Sequence, residues 1–343
     1  MRRIGIVNNR MVEHVCQIIL SVPDYTIAWI ARNGDEAVKK CTVERPDLIV
    51  LDPDIPGMDG IEATRRIMKE TPCPILIVTP TVEGNAAKVF EALGCGALDA
   101  VNTPLMGNNE PAQRSQKAFL KKIQNIIKLQ EDSYTPLKPK TVRLTVPQNA
   151  PPLVVIGSST GGPKTLVKVL ARLPKNLGAA LVIAQHLDQE FSAGLADWLN
   201  AQSPIRVQLA HEGEHPEINI VYVAGTNDHL VITSDLTFSY TPEPRNNPYR
   251  PSVDVLFLSV AEHWPGRGCA VLLTGMGRDG ATGLASLRKL GWYTIAQDKE
   301  TSVVYGMPKA AKELDAAAEI LAIEDIGPAM LNSLKRIAGK TYQ

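Results

Sequence analysis

The sequence predicts an α/β protein of two doubly wound domains. The first is an N-terminal (βα)5 unit; the second is a mainly parallel C-terminal unit carrying an antiparallel hairpin. Three observations carry this prediction. Short apolar runs alternate with amphipathic stretches in both halves, the pattern of parallel strands covered on both faces by helices. The chain has 343 residues, more than one ordinary domain. A stretch rich in proline, residues 131–152, interrupts the alternation near the middle.

In the first half the apolar run Ile4–Val7 reads as a strand and Met11–Leu20, with helical periodicity, as a helix. Tyr25–Ala31, rich in β-branched and aromatic residues, is a strand and Gly34–Glu44 a helix. The continuous run Leu48–Leu51 is a buried strand, followed by a helix over Gly60–Glu70. Ile75–Val78, Asn85–Leu93, Leu98–Val101 and Gln113–Gln130 complete the series as strand, helix, strand and helix. The linker then places Pro136, Pro139, Pro147, Pro151 and Pro152 among polar residues, a semi-rigid, extended composition. The second half offers strands at Leu153–Ile156, Ala179–Ala184, Val207–Leu209, Ile220–Val223 and Ala270–Leu273. Helices are expected at Lys164–Leu173, Glu190–Asn200, Val253–Glu262, Gly280–Lys289 and Pro308–Leu314. His229–Tyr240 reads as a hairpin inserted among the parallel strands. The expected domains are 1–130, the linker 131–152, and 153–343.

Composition narrows the function. Net charge is zero at pH 7, so no global field favours nucleic acid or an anionic membrane. No apolar run is long enough to span a bilayer, and the N-terminus lacks the apolar core of a signal peptide. The five cysteines, Cys16, Cys41, Cys73, Cys95 and Cys269, are scattered and form no C-x-x-C. Reduced thiols, a cytoplasmic location and no zinc site are expected.

Catalytic groups in open α/β sheets collect at the carboxyl ends of strands. Gly157-Ser158-Ser159-Thr160-Gly161 follows the first strand of the second half and is a G-x-S-x-G. On a strand-to-helix turn such a serine is thrust out of the sheet, with free backbone N–H groups nearby. His186 follows the next strand, and Asp279 lies in Thr274-Gly275-Met276-Gly277-Arg278-Asp279-Gly280 after another. A serine needs a base to become a nucleophile at neutral pH, and the base needs an orienting carboxylate. Residue logic leaves rivals open. The glycine-rich turn also suits a phosphate. His211, His215, His229 and His263 compete with His186, His229 most strongly because it too follows a strand. Asp188, Asp228 and Asp254 compete with Asp279, which also suits a cap for the helix beginning near Gly280.

The second half, from about Leu153 to Ile337, closely resembles the catalytic domain of the chemotaxis protein-glutamate methylesterases. The resemblance is carried by Ile156 to Gly162, Ala184-Gln185-His186, Thr274 to Gly280, Arg250-Pro251-Ser252-Val253-Asp254-Val255-Leu256-Phe257 and Gly306-Met307-Pro308. It implies Ser159 as nucleophile, His186 as base, Asp279 as orienter and the Met276 N–H as oxyanion donor. Thr160 and His229 become second-layer or substrate-side groups. The implied reaction is hydrolysis of glutamate γ-methyl esters on chemoreceptor cytoplasmic helices, with glutamine deamidation as a second activity, and neither needs a metal or cofactor.

The first half resembles a response-regulator receiver domain. Pro46 to Gly60 matches the phosphoacceptor strand and loop, so Asp52 falls on the phosphorylated aspartate and Thr79 on the switch hydroxyl. The implied phosphodonor is a sensor histidine kinase. Receivers normally carry an acidic pair where this chain has Asn8 and Asn9, and a lysine where it has Thr103. Carboxylates hold Mg²⁺ better than neutral amides, and threonine supplies no charge to a phosphoryl group. Impaired or retuned phosphorylation of Asp52 and weak Mg²⁺ binding are therefore expected. Asn102-Thr103-Pro104 also resembles the surface-sensing (Wsp-type) branch of the family. Two rival readings remain at this stage: a scaffold that kept the fold and lost regulation, and a small-ester hydrolase with an unrelated substrate. The latter needs a deep apolar pocket, for which an aromatic content of 5% offers little lining.

Overall fold

The computed structural model describes residues 1–81, 83–130, 150–245 and 247–340. The chain divides into two compact units, Met1–Ser133 and Tyr134–Gln343. Most of the expected linker, residues 131–149, lies outside the described residues.

The first unit runs β1 (Arg2–Val7), α1 (Val12–Leu20), β2 (Tyr25–Ala31), α2 (Gly34–Val43), β3 (Leu48–Leu51), α3 (Gly60–Glu70), β4 (Ile75–Thr79), α4 (Ala86–Gly94), β5 (Asp99–Asn102) and α5 (Glu110–Gln130). Its parallel sheet has the order β2-β1-β3-β4-β5. All four residues of β3 are buried, as a strand covered on both faces requires. One core face packs Ile4, Ile6, Leu48, Val50, Leu76 and Val78 against Val15, Ile19, Phe119 and Ile123 of the helices. Caps set helix starts: Asn33 accepts the Glu36 N–H, and Asp59 accepts the Glu62 N–H.

The second unit runs β6 (Leu153–Ser158), α6 (Gly162–Leu170), β7 (Ala180–Gln185), α7 (Gln189–Gln202), β8 (Arg206–Leu209), β9 (Ile220–Val223), β10 (His229–Ile232), β11 (Phe238–Thr241), α8 (Val253–His263), β12 (Cys269–Leu272), α9 (Ala281–Lys289), β13 (Tyr293–Gln297), α10 (Met307–Glu313), β14 (Glu319–Leu321) and α11 (Ile323–Lys340). Seven strands form one sheet, β14-β13-β12-β6-β7-β9-β8, with every pairing parallel. From β6 the chain winds outward to one edge, then returns beside β6 as β12 and winds toward the other edge. The β6–β12 junction is therefore a topological switch point, where loops diverge at the carboxyl ends and leave a crevice.

Two differences from the sequence reading have physical causes. The hairpin β10–β11 is a separate antiparallel sheet and does not insert among the parallel strands. Its inward residues Leu230, Ile232 and Phe238 pack with Leu256, Phe257 and Val260 in one cluster, which satisfies them without a place in the large sheet. β13, β14 and α11 were not predicted. β14 is only three residues long and gives no period, and α11 carries Pro328 inside the helix, which reads as a break. All five cysteines are free thiols, four of them buried.

Candidate active site

β6 ends at Ser158, and the chain turns into α6 through Ser159, Thr160 and Gly161. Gly161 sits at φ +78°, and a Cβ there would stand 2.6 Å from Val303. Glycine is therefore required on both conformational and steric grounds. Ser159 donates its N–H to Thr274 O at 3.0 Å, which ties the turn to the end of β12. The Ser159 side chain is partly exposed, and its hydroxyl makes no hydrogen bond among the described residues.

One buried carboxamide aligns the nucleophile with the base. Gln185 Nε2 donates to Ser159 O and to His186 O, each at 3.0 Å, while its Oε1 accepts the Ser158 hydroxyl at 2.6 Å. The next residue, His186, points its Nε2 at Asp279 Oδ2, 2.8 Å away. The carboxylate accepts, so the ring proton sits on Nε2 and the Nδ1 lone pair is free to act as base. The ring is 11% exposed and the carboxylate fully buried.

Asp279 does not cap its own helix. The N-cap of α9 is Gly280, which makes no side-chain cap. The Asp279 carboxylate instead accepts the N–H groups of Val253 (2.6 Å) and Asp254 (3.1 Å) at the start of α8, plus the Ser252 hydroxyl at 2.8 Å. Burial alone would raise its pKa. The bonds from His186, Val253 and Ser252 outweigh it and hold the carboxyl below the ordinary value. Asp254 returns the favour: its Oδ1 accepts the Gly283 N–H at 2.6 Å, and Gly280 and Thr282 also donate to it, at the start of α9. Burial and the charge of Asp279 push the Asp254 carboxyl well above the ordinary range. The two helix starts thus exchange carboxylate caps.

His229 lies fully buried behind Asp279 rather than at the surface. Its Nδ1 accepts the Ser252 N–H at 3.0 Å, and its Nε2 faces Pro244 O at 3.4 Å. Burial lowers its pKa, which fits a neutral ring accepting a hydrogen bond. Thr160 is buried, and its carbonyl accepts the Thr274 hydroxyl at 2.9 Å. The loop after β12 is pinned at Gly275, which donates to Val304 O and accepts from Gly306 and Met307 N–H groups. A Cβ on Gly275 would lie 2.7 Å from Ser159 Cβ, so this loop abuts the nucleophile. The N–H groups of the adjacent Met276 and of Thr160 have no acceptor among the described residues.

The rival residues sit elsewhere. His211 and His215 are exposed, and His263 lies in the last turn of α8. Asp188 caps α7, and Asp228 pairs with Arg250 at 3.8 Å. The sequence reading gave no role to Gln185, Ser252 or Tyr249. Tyr249 stacks on His186 with ring centroids 4.7 Å apart. Gln185 and Ser252 lie within the matched motifs and Tyr249 directly precedes one, and nothing else in the sequence marks them.

In the first unit Asp52 follows β3 and is buried. Its Oδ1 accepts the Asp54 N–H at 2.8 Å, and burial raises its pKa, with the Asp54 charge adding to the rise. Asn8 is buried beside it and Asn9 exposed. Asn8 Oδ1 accepts the N–H groups of Arg10 and Met11, both at 2.8 Å. Those two donors fix the amide, so its Nδ2 must face Asp52 Oδ2, 3.4 Å away. A donor therefore occupies the place where a carboxylate would offer Mg²⁺ an oxygen, and the residues present do not fit that ion in the usual arrangement. Asp54 is taken by Lys88 at 2.6 Å. Among the described residues no group of three or more His, Cys, Asp or Glu side chains is placed to hold a metal. Thr79 is the last residue of β4 and is buried, and its hydroxyl accepts from Asn85 Nδ2 at 2.9 Å. Thr103 donates its N–H to Thr79 O.

Comparison with known proteins agrees with this layout. Residues 154–330 match the CheB methylesterase family, and residues 6–109 match the response regulator receiver domain. A protein-glutamate methylesterase/protein-glutamine glutaminase of Mesorhizobium japonicum is 48% identical over 337 residues, 97% of this chain and 99% of that protein. One of Pseudomonas aeruginosa is 47% identical over 328 residues, 95% of this chain and 98% of that protein. The crystal structure of the Thermotoga maritima CheB methylesterase catalytic domain superposes with a TM-score of 0.52 at 36% identity, covering 54% of this chain and 99% of that one. The chain belongs to the CheB methylesterase family, with a response-regulator receiver domain preceding the methylesterase domain.

Proposed function

We propose that this protein hydrolyses glutamate γ-methyl esters on the cytoplasmic helices of methyl-accepting chemoreceptors, and deamidates receptor glutamines, through a Ser159 acyl-enzyme. The observation that supports it best is the His186–Asp279 pair at 2.8 Å, set at the switch point beside a serine whose hydroxyl is unengaged. His186 Nδ1 takes the Ser159 hydroxyl proton as Oγ bonds to the γ-carbonyl carbon. The oxyanion is received by the free N–H groups of Met276 and Thr160. His186 then gives the proton to the leaving oxygen, and methanol departs. Water, activated by the same nitrogen, cleaves the acyl-enzyme and releases glutamate. With glutamine the leaving group is ammonia. No step requires a metal or cofactor.

The finer reading is that the receiver domain governs this activity in the cytoplasm, with a sensor histidine kinase as phosphodonor to Asp52. Among the described residues no helix is long and apolar enough to cross a membrane. The Asn8 N–H facing Asp52, the exposed Asn9 and the uncharged Thr103 support slow or retuned phosphorylation. The Asn102-Thr103-Pro104 sequence supports a place in the surface-sensing branch. Methanol release from a methylated receptor cytoplasmic fragment tests the activity. Release that vanishes in Ser159→Ala is expected, a loss of about 10³-fold or more. Equal release from both forms would remove Ser159 from the reaction.

A further inference from the structure

The acyl-transfer steps leave Tyr249 without a part, although it touches the base. Its ring lies on the imidazole of His186 with centroids 4.7 Å apart and planes inclined by 18°. The residue is 6% exposed. A Cβ built on Gly277, which sits at φ +82°, would stand 1.9 Å from the Tyr249 hydroxyl oxygen. Glycine at 277 is therefore what admits the phenol. Gly277 lies between Met276 and Asp279, so the ring spans from the base to the oxyanion loop. The backbone is also held, since the Tyr249 N–H donates to Asn247 Oδ1 at 2.9 Å. Three residues on, Ser252 binds Asp279.

The geometry selects a role. A near-parallel stack leaves the edge of the imidazole clear, and both ring nitrogens lie in that edge. Nε2 is committed to Asp279. The face of a phenol is electron-rich and attracts a cation within about 6 Å of its centroid. In the acyl-transfer step the imidazole becomes a cation as it takes the Ser159 proton. We infer that Tyr249 is a positioning residue that holds the plane of His186 and stabilises its protonated form during acyl transfer. It therefore acts on the transition state more than on substrate binding. This inference rests on the proposed esterase reading for its kinetic consequence.

The test uses the full chain with Tyr249→Phe, Tyr249→Leu, and trifluorophenylalanine at position 249. The last keeps the shape of phenylalanine but depletes the ring face. Methanol release is followed across about pH 5 to 9. Tyr249→Phe is expected within about twofold of the parent. Tyr249→Leu and the fluorinated ring are expected to lose roughly tenfold in kcat with KM within about twofold. Their acid limb should move to lower pH, because an imidazolium without the electron-rich face forms less readily. NMR titration of the His186 ring without substrate reads the same shift whatever the esterase assay gives. A chain that releases no methanol therefore fails the esterase reading alone. A titration midpoint that does not move between the phenylalanine and fluorinated forms overturns the inference, as does a fluorinated form as active as Tyr249→Phe.

Discussion

Two buried aspartates in loops that follow parallel strands, Asp279 after β12 and Asp52 after β3, are driven in opposite directions. Asp279 accepts from Val253, Asp254, Ser252 and His186, and its pKa falls. Asp52 accepts one short bond from Asp54 and a long one from Asn8, and its pKa rises. Burial acts on both in the same sense, so the difference lies in the donors. A helix start supplies two N–H groups to Asp279, whereas the loop after β3 supplies one to Asp52. The methylesterase pocket is thus saturated around a fixed charge. The receiver pocket gives its aspartate fewer donors, and the nearby charges of Asp54, Arg10 and Lys88 pull in opposite directions.

The sharpest way to break this contrast is Asp279→Asn. Both oxygens of Asp279 accept from N–H groups, so no orientation of an amide satisfies the site. One donor always meets an NH₂. Methanol release should fall about 10³- to 10⁴-fold, because the ring of His186 loses its tautomer and its anchor. Unfolding should come about 2–4 kcal/mol more easily, since buried N–H groups are left unpaired. A variant with normal melting and normal kcat would show that the carboxylate has no part in orienting the base.

The contrast can also be erased from the other side. Asn8→Asp, Asn9→Asp and Thr103→Lys together restore the charges receivers normally carry. Asn8→Asp puts an oxygen where Nδ2 now faces Asp52. Labelling of Asp52 by acetyl phosphate with Mg²⁺ should rise by roughly ten- to a hundredfold over the parent chain. Strong labelling of the parent, unchanged in the triple variant, would mean that Asn8 and Thr103 leave the phosphorylation chemistry intact.

How legible these sites were from sequence follows from how local their causes are. Ser159, His186 and Asp279 each follow an apolar strand, which made them candidates among rivals, and the family resemblance assigned their roles. Asn8 and Thr103 were visible because receiver positions are tied to the same pattern. What escaped was set by tertiary approach. Asp279 looked like the cap of its own helix, yet it caps α8, whose start is brought to it by the fold. Gln185 bridges two strand ends, and Tyr249 reaches His186 from a loop 63 positions away in sequence (249 − 186). Neither contact has a period or a spacing. β14 and α11 escaped for the opposite reason. Three exposed-edge residues and an internal proline give too little local signal, and packing alone decides them.

The last comparison concerns Asp254 and answers whether two adjacent buried carboxyls are both charged. Asp279 needs its charge for His186, and burial and that charge raise the pKa of Asp254, so a proton held on Asp254 in the fold is the expected outcome. Unfolded, Asp254 loses that proton above about pH 4. The native state then binds more protons than the unfolded one, and stability falls as pH rises, by about tenfold in the folding equilibrium per pH unit. Asp279 works in the other window, since its lowered pKa supplies stability above about pH 4 that is lost as pH falls further. Asp254→Asn keeps a carbonyl oxygen for Gly283, Gly280 and Thr282 and has no proton to lose. Its stability advantage over the parent chain should therefore be absent near pH 4 and widen toward neutrality, read from denaturant midpoints at several pH values. Midpoints that stay parallel across that range would mean that Asp254 is charged in the fold. The exchange of caps between α8 and α9 would then hold two negative charges, and the saturation around Asp279 would have to be explained by some other source of positive potential.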